Sequence, residues 1–376
     1  MDAQNPEPSP SSSLIYQYTP LQSQRSIRLI VLQPGSDPAP VAVSLKEGCI
    51  DDDLSYEAVS YTWATEDGND ERSNMILCDE AYIRVTLNCE TVLRRFRDST
   101  AERVLWVDAI CINQEDIIER GQQVQLMGKI YSKACKVLIW LGEATTQEVI
   151  DETPMPASEY FFKWLHLIAE EIRLRKSSGQ AIYEGPINQE FLRWRNEIDQ
   201  NTETVDPLYQ CLQGIFLRRW WKRLWVVQEA AVASSALLIC GSATLDFSDL
   251  DQIHHCIREE RSASSNASLT AYLFLSQAIV QLSIRKFLND EFKRTDAMFA
   301  KLALHFLEAS SRKEVSDPRD RVFGILGLVN RFGQIFPAPD YNKSVGTVFT
   351  EAAKAVITFG NSSEILCHSS GDSGRV

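Results

Sequence analysis

The chain has 376 residues, of which 44% are hydrophobic and 24% charged, and its formal net charge is −13. This composition is typical of a globular protein with a large core, and it excludes wholesale disorder. The excess of acid disfavours binding to nucleic acid or to an anionic membrane. The nine cysteines do not resemble a disulfide framework. The first residues lack an apolar segment after a basic start. We therefore expect no secretory signal and a reducing, cytoplasmic setting.

The first part of the chain alternates between strand and helix patterns. We expect residues 1–20 to be a disordered tail, because the chain opens with a polar run rich in Pro and Ser. Strands are predicted at 27–32, 41–45 and 56–63, with a hairpin at 75–85 and a helix at 88–98. The apolar runs at 104–107 and 137–141 are typical of strands buried on both faces of a parallel sheet. The residues between them predict a helix, since apolar side chains recur there at three- and four-residue steps.

The second part of the chain is predicted to be largely helical. Helices are expected at 160–175, 188–198, 207–216, 248–259, 269–287, 297–308, 319–329 and 345–357. Residues 218–233 are predicted as one continuous helix, followed by a strand pair at 237–240 and 243–247. Residues 262–284 carry no charge, but their many Ser, Asn, Thr and Gln side chains favour a buried helix over a membrane span. We therefore predict an α/β domain at 21–247 with a helical insertion at 147–216, and a helical extension at 248–376.

Polar side chains follow the predicted strand at 104–107. Asp108, Asn113 and Gln114 lie where this strand ends and the next helix begins. Ligands of open α/β sheets bind at the carboxyl ends of the strands, so these residues are candidates for a ligand pocket. A structural interpretation is also open. Asn113 could cap the next helix with Asp116 answering it, and Asp108 could fix the loop.

Residues 217–233 (LRRWWKRLWVVQEAAVA) combine three tryptophans with basic residues and a single acid. Glu229 follows Trp225 by one helical turn. A carboxyl group beside aromatic surface can have a raised pKa and can serve acid–base or ion-stabilising chemistry. The alternative is an ordinary core helix in which Glu229 pairs with Lys222 or Arg223.

Other patterns indicate structural roles or are rejected. Asp317 and Pro318 suit a helix start, and the charged residues at 319–321 predict ion pairs that hold this helix to the rest. The run His254-His255-Cys256 lacks a second spaced ligand pair, so no metal site is predicted. No phosphate-binding glycine loop or nucleophile elbow occurs.

Three longer motifs together resemble one known family. Residues 56–63 (YEAVSYTW), 105–114 (LWVDAICINQ) and 223–229 (RLWVVQE) are similar to the heterokaryon incompatibility (HET) domain of filamentous fungi. Cys240-Gly241 and the segments 317–328 and 339–341 resemble the blocks that follow it. The resemblance extends over about residues 18–357. One departure is Ala64, where the family usually has Gly, so the loop at this position could be shaped differently.

This resemblance implies a role in fungal allorecognition and in programmed cell death after cell fusion, a form of innate immunity. It also implies a distant likeness to TIR domains, which are flavodoxin-like α/β modules. The first hypothesis is a signalling module that self-associates or binds a protein partner, without a cofactor. The alternative is a TIR-like NAD glycohydrolase, because some TIR domains hydrolyse NAD with a helix glutamate in a similar setting. Glu229 would then be the catalytic carboxylate. The expected pocket residues are Trp63, Asp108, Asn113, Gln114, Trp225 and Gln228.

Overall fold

A computed structural model describes residues 15–144, 157–179, 214–250, 313–330 and 336–360, with a few isolated positions between them. Within these residues, nine strands form one mixed sheet in the order β5-β4-β2-β1-β6-β3-β7-β8-β9. The strands are β1 (Ser26–Leu32), β2 (Ala42–Cys49), β3 (Glu57–Ser60), β4 (Asn74–Cys78), β5 (Ala81–Val85), β6 (Arg103–Trp106), β7 (Lys136–Trp140), β8 (Ala236–Cys240) and β9 (Ala243–Asp246). The predicted strands and the hairpin around Asp79 are confirmed, with shifted ends.

Four central strands are parallel. They lie in the order β6-β3-β7-β8, which is 2-1-3-4 when these four are numbered along the chain. This is the order of the first four strands in flavodoxin-like sheets, whose ligands bind where the order reverses, here between β3 and β7. The predicted α/β class is confirmed. The antiparallel strands β1 and β9 border this parallel core.

Helices cover both faces of the parallel core. The helices are α1 (Leu87–Phe96), α2 (Asp108–Cys111), α3 (Ile117–Lys133), α4 (Ala157–Ser177), α5 (Arg219–Lys222), α6 (Trp225–Val232), α7 (Asp320–Phe323), α8 (Leu326–Val329) and α9 (Val345–Gly360). Trp106 and Trp140 point to opposite faces by their strand register. Trp106 packs edge-on against Tyr131 of α3, and Trp140 against Phe96 of α1. Aromatic side chains are therefore buried between the sheet and a helix on each face of the parallel core.

The predicted single helix at 218–233 is wrong. It is two short helices, α5 and α6, separated at Arg223, whose backbone is extended. The break has a long-range cause, because the backbone at 222–224 bonds to Glu314. The Glu314 N–H donates to the Lys222 carbonyl at 2.8 Å, and the Leu224 N–H donates to the Glu314 carbonyl at 3.2 Å. The Arg223 side chain turns inward as a result and donates to the Tyr61 carbonyl.

Residues 15–20, the last part of the predicted tail, contact the α/β sheet and its loops. Ile15 pairs with Tyr82, the Tyr18 hydroxyl donates to the Ile110 carbonyl at 2.8 Å, and the Thr19 carbonyl accepts from Arg28. The domain boundaries stay predictions. The predicted helix at 188–198 and most of those at 207–216, 248–259, 269–287 and 297–308 lie outside the described residues. Among the described helices, none is both long and apolar enough to cross a membrane.

Candidate functional site

A pocket with a volume of about 570 Å³ opens at the carboxyl ends of the parallel strands. Trp63 lines it from the loop after β3, Asp108 from the start of α2, and Trp225 from the start of α6. The opposite wall comes from the segment 314–320 and from Tyr341. The pocket therefore lies at the carboxyl ends of β3 and β6, the edge of an open α/β sheet at which ligands bind.

Asp108 is held at the pocket by donors from two directions. The Trp63 indole Nε1 donates to its Oδ2 at 2.9 Å, and the Ala109 N–H donates to its Oδ1 at 2.7 Å. Burial raises the pKa of Asp108 above its ordinary value, while the nearby Arg223 guanidinium opposes the rise. Gln114 closes this loop, because its Nε2 donates to the Asp108 carbonyl at 2.9 Å.

A buried ion pair supports the loop that carries these residues. Arg28 on β1 and Glu119 on α3 form a bidentate pair at 2.5 and 2.9 Å, and their side chains are 4% and 6% exposed. Glu119 also accepts from the Asn113 N–H at 2.7 Å, and Arg28 donates to the Cys111 carbonyl at 3.2 Å. A buried pair is stable only when its remaining hydrogen bonds are made, and here the loop backbone makes them.

Glu229 lies behind the pocket, in the contact between α6 and the sheet. Its side chain is only 2% exposed, and its Oε2 accepts from the Ser60 hydroxyl at 2.5 Å. Ser60 in turn accepts from the Trp220 indole Nε1 at 2.8 Å. Burial raises the pKa of Glu229 to about 7, against the opposing effects of the Arg223 charge and the Ser60 hydrogen bond. Burial thus favours the protonated form of Glu229, and the group does not line the pocket.

The second wall of the pocket contains another buried carboxyl group. Asp320 accepts from the Tyr341 hydroxyl at 2.8 Å and from the Trp225 indole at 3.3 Å. Burial raises the pKa of Asp320 to about 6. Burial and the Asp320 charge also raise the pKa of Tyr341, so its hydroxyl stays protonated and remains a donor. These bonds link α6 to the C-terminal segment across the pocket.

The structure brings together four of the predicted site residues, Trp63, Asp108, Gln114 and Trp225. Asn113 is not among the lining residues. Its side chain accepts from the Glu115 N–H at 3.2 Å within a turn. It also does not cap α3, since Asp116 accepts there from the N–H groups of Ile118 and Glu119.

Gln228 is also absent from the pocket, although it was predicted to line it. The side chain is 1% exposed, and its Oε1 accepts from the Gly327 N–H at 3.1 Å. Gln228 lies on the face of α6 that contacts α8, whereas Trp225 is the first residue of α6 and lies at the edge of the pocket. The alternative in which Glu229 interacts with Arg223 describes the structure better, because the charge of Arg223 lowers the pKa of Glu229 against the effect of burial.

Several pocket residues were not predicted from the sequence. Arg72 and Arg120 line it, and neither of them was assigned to the pocket from the sequence. Asp320 and Tyr341 belong to segments that were interpreted as structural or as family blocks only. The available signal was that they lie in the blocks 317–328 and 339–341, which resemble the family. Among the described residues, no group of three or more His, Cys, Asp or Glu side chains could hold a metal ion.

Comparisons with known proteins agree with the sequence motifs. Residues 56–229 match the family model described as "Heterokaryon incompatibility protein (HET)". The chain is also 27% identical over 385 aligned positions to "Heterokaryon incompatibility protein 6, OR allele" of Neurospora crassa. That alignment covers 88% of this chain and 52% of the Neurospora protein, so the chain spans about half the length of the curated relative it matches. No solved structure matches this chain.

Proposed function

We propose that this chain, whose residues 56–229 match the model of the heterokaryon incompatibility (HET) family, acts as an effector of fungal non-self recognition. It would trigger regulated cell death in the cytoplasm after self-association or after binding a protein partner. The observation that carries this proposal is the extent of the family match. It runs from β3 to Glu229 and so includes three of the four parallel strands, β3, β6 and β7, and one wall of the pocket.

Two features of the structure favour a signalling module over an enzyme. Glu229, the candidate catalytic carboxyl group, is buried behind Ser60 rather than presented to a ligand. At the start of α3, the adjacent side chains of Ile117 and Ile118 are 44% and 68% exposed. Adjacent exposed aliphatic side chains are suited to contact a protein surface.

The experiment expresses the full chain in a fungal host and measures cell death. In parallel, the molecular mass of the purified protein is measured over a range of concentrations to detect self-association. We expect Ile117→Ser/Ile118→Ser to reduce both cell death and association. Leu174→Ser is the matched control, because this leucine on α4 is 64% exposed and lies on another helix. Full cell death in the double variant, or equal loss in the control, would reject this surface. Absence of death with a folded, well-expressed chain would reject the effector role.

A TIR-like NAD glycohydrolase is the second candidate, and the pocket is the observation that favours it. Trp63 and Trp225 offer aromatic surface for a base, and Asp108 offers a carboxylate at the same rim. In the reaction, the bond between the ribose and nicotinamide breaks and water supplies the new oxygen. Nicotinamide, ADP-ribose and a proton are released. A carboxylate near the ribose would stabilise the positive charge that develops on the sugar.

The test incubates the concentrated, purified chain with NAD and measures free nicotinamide. For this candidate we expect turnover that Asp108→Asn reduces by at least about a hundredfold, the scale of losing a group that stabilises transition-state charge. Glu171→Gln on α4 is the control for general effects of removing an acid. Unfolding curves of each variant separate lost chemistry from lost structure. No nicotinamide at concentrations where the chain self-associates would reject the enzyme and leave the signalling module.

A further inference from the structure

Three arginines of the pocket have hydrogen-bond donors that the protein does not use. Arg72, Arg120 and Arg223 all line it. Arg223 donates one hydrogen bond to the Tyr61 carbonyl. The guanidinium groups of Arg72 and Arg120 make no hydrogen bond to the described residues. No described carboxylate lies within ion-pair distance of them. Each guanidinium carries five N–H donors, so the pocket has a surplus of donors.

Arg120 is the most constrained of the three. Its Nε is buried and has no hydrogen-bond partner among the described residues. The guanidinium lies over the ring of Tyr341, 4.1 Å from the centroid. Arg72 lies similarly over Trp63, at 5.1 Å. The rings thus hold both cations in position while leaving their N–H edges free, and a preorganised guanidinium loses less entropy when a ligand binds.

The carboxylates of the pocket do not accept hydrogen bonds from these three arginines, because most of the carboxylates have other partners. Asp108 and Asp320 each accept two hydrogen bonds from within the protein. Asp317 pairs with Arg319 at 2.6 Å, and Glu314 lies 3.8 Å from Arg219. Asp70 is the remaining lining acid, and it is exposed. The formal charges of the side chains that line the pocket nearly cancel. The unused N–H donors of the three arginines nevertheless favour a ligand rich in hydrogen-bond acceptors.

We propose that this pocket binds a small molecule bearing a phosphate or diphosphate group, held by Arg72, Arg120 and Arg223. The planar fork of a guanidinium matches two oxygens of a phosphate at once, and a diphosphate offers oxygens to more than one arginine. The wall that positions Arg120 is Tyr341, which lies beyond the family match at 56–229. The C-terminal segment is thus part of the binding site. The inference concerns the same pocket as the glycohydrolase candidate, but it does not depend on hydrolysis.

The experiment titrates the full chain with pyrophosphate, with ADP and with adenosine, and measures the heat of binding. We expect pyrophosphate and ADP to bind and adenosine not to bind. Tighter binding of ADP than of pyrophosphate indicates a nucleotide, and equal binding indicates an inorganic or other phosphate source. Because ADP contains no nicotinamide, a failed NAD turnover assay leaves this result intact.

The variants test the arginines directly. Arg120→Gln is expected to weaken binding of the two phosphate compounds at least about tenfold, since it removes charged hydrogen bonds. Arg72→Gln is a second variant whose side chain is only partly buried, so it tests the site without disturbing the core. Arg94→Gln is the matched control, because that arginine is already paired with Glu90 at 2.6 Å and lies outside the pocket. Binding of adenosine as tight as that of ADP would overturn the proposal. So would unchanged binding in both test variants, or no heat with either phosphate compound.

Discussion

Glu229 illustrates how the environment of one residue can decide its chemistry. The chain Trp220–Ser60–Glu229 links three buried polar groups, with the indole donating to the hydroxyl and the hydroxyl to the carboxylate. A buried carboxylate is costly unless its hydrogen bonds are made, and here one hydroxyl and the nearby Arg223 charge offset only part of the cost. The proton therefore stays on Glu229 to a higher pH than in an unfolded chain.

We predict that Glu229→Gln removes part of the pH dependence of stability. The pKa of Glu229 is raised to about 7 in the folded chain, so between its ordinary value and 7 the folded chain holds a proton that the unfolded chain releases. The free energy of unfolding should then fall as pH rises through this window, by up to about 3 kcal/mol. Urea unfolding from pH 4 to pH 8 measures this slope in the parent, in Glu229→Gln and in the control Glu171→Gln. Equal slopes in all three would contradict the assignment.

At the scale of elements, α3 and α8 are in close contact. A Cβ added to Gly128 would lie 2.6 Å from the Cα of Gly327, so these two helices approach at backbone distance. Gln228 of α6 joins the same contact by accepting from the Gly327 N–H. The contact connects the α/β core to the C-terminal segment, and through it the two walls of the pocket keep their spacing.

Gly128→Ala is therefore expected to destabilise the protein, although alanine is the better helix former. Helix propensity alone would stabilise by about 1 kcal/mol. The steric conflict with backbone costs about 1–3 kcal/mol, because neither helix can yield without moving the other. We expect the loss to dominate. Gly346→Ala is the control, since its added Cβ would meet nothing within 4 Å, and it should be neutral or stabilising. Thermal unfolding of both variants decides the point, and a higher midpoint for Gly128→Ala would refute the close contact.

At the scale of the whole molecule, distant parts of the chain share one core and one site. Arg28 of β1 supports the loop before α3 through Glu119. The C-terminal segment buries Phe323, Leu326 and Leu328 and adds Asp320 and Tyr341 to the pocket. The family match ends at residue 229, but the structural unit around the pocket continues beyond it.

We predict that a chain ending at residue 247 unfolds at lower urea concentration than the full chain and exposes apolar surface to a hydrophobic dye. It loses the side chains that cover α3 and α6, and burial of each large side chain contributes about 1.5–3 kcal/mol. A chain ending at residue 360 is the control, because it keeps α7, α8 and α9. An unchanged midpoint for the shorter chain would mean that the C-terminal segment is an independent unit.

Much of the fold and part of the site were predictable. Strands of the parallel core are buried on both faces, so each appears in the sequence as a continuous apolar run, as at β6 and β7. Asp108 and Trp225 were found because a strand end and a tryptophan-rich helix are local features. Gln228 and Asn113 were misassigned to the pocket because spacing along a helix or loop does not reveal which neighbour covers each face.

The sequence by itself determined the order of the strands, the α/β class and the resemblance to the HET family, since these follow from local periodicity and from motifs of several residues. Only the tertiary structure decided that Glu314 breaks the helix at Arg223, that Glu229 lies behind Ser60, and that Arg120 and Tyr341 form a wall. The physical reason is range. Arg120 and Tyr341 are separated by more than two hundred residues, and their contact depends on how complete elements pack, which no local pattern of side chains encodes.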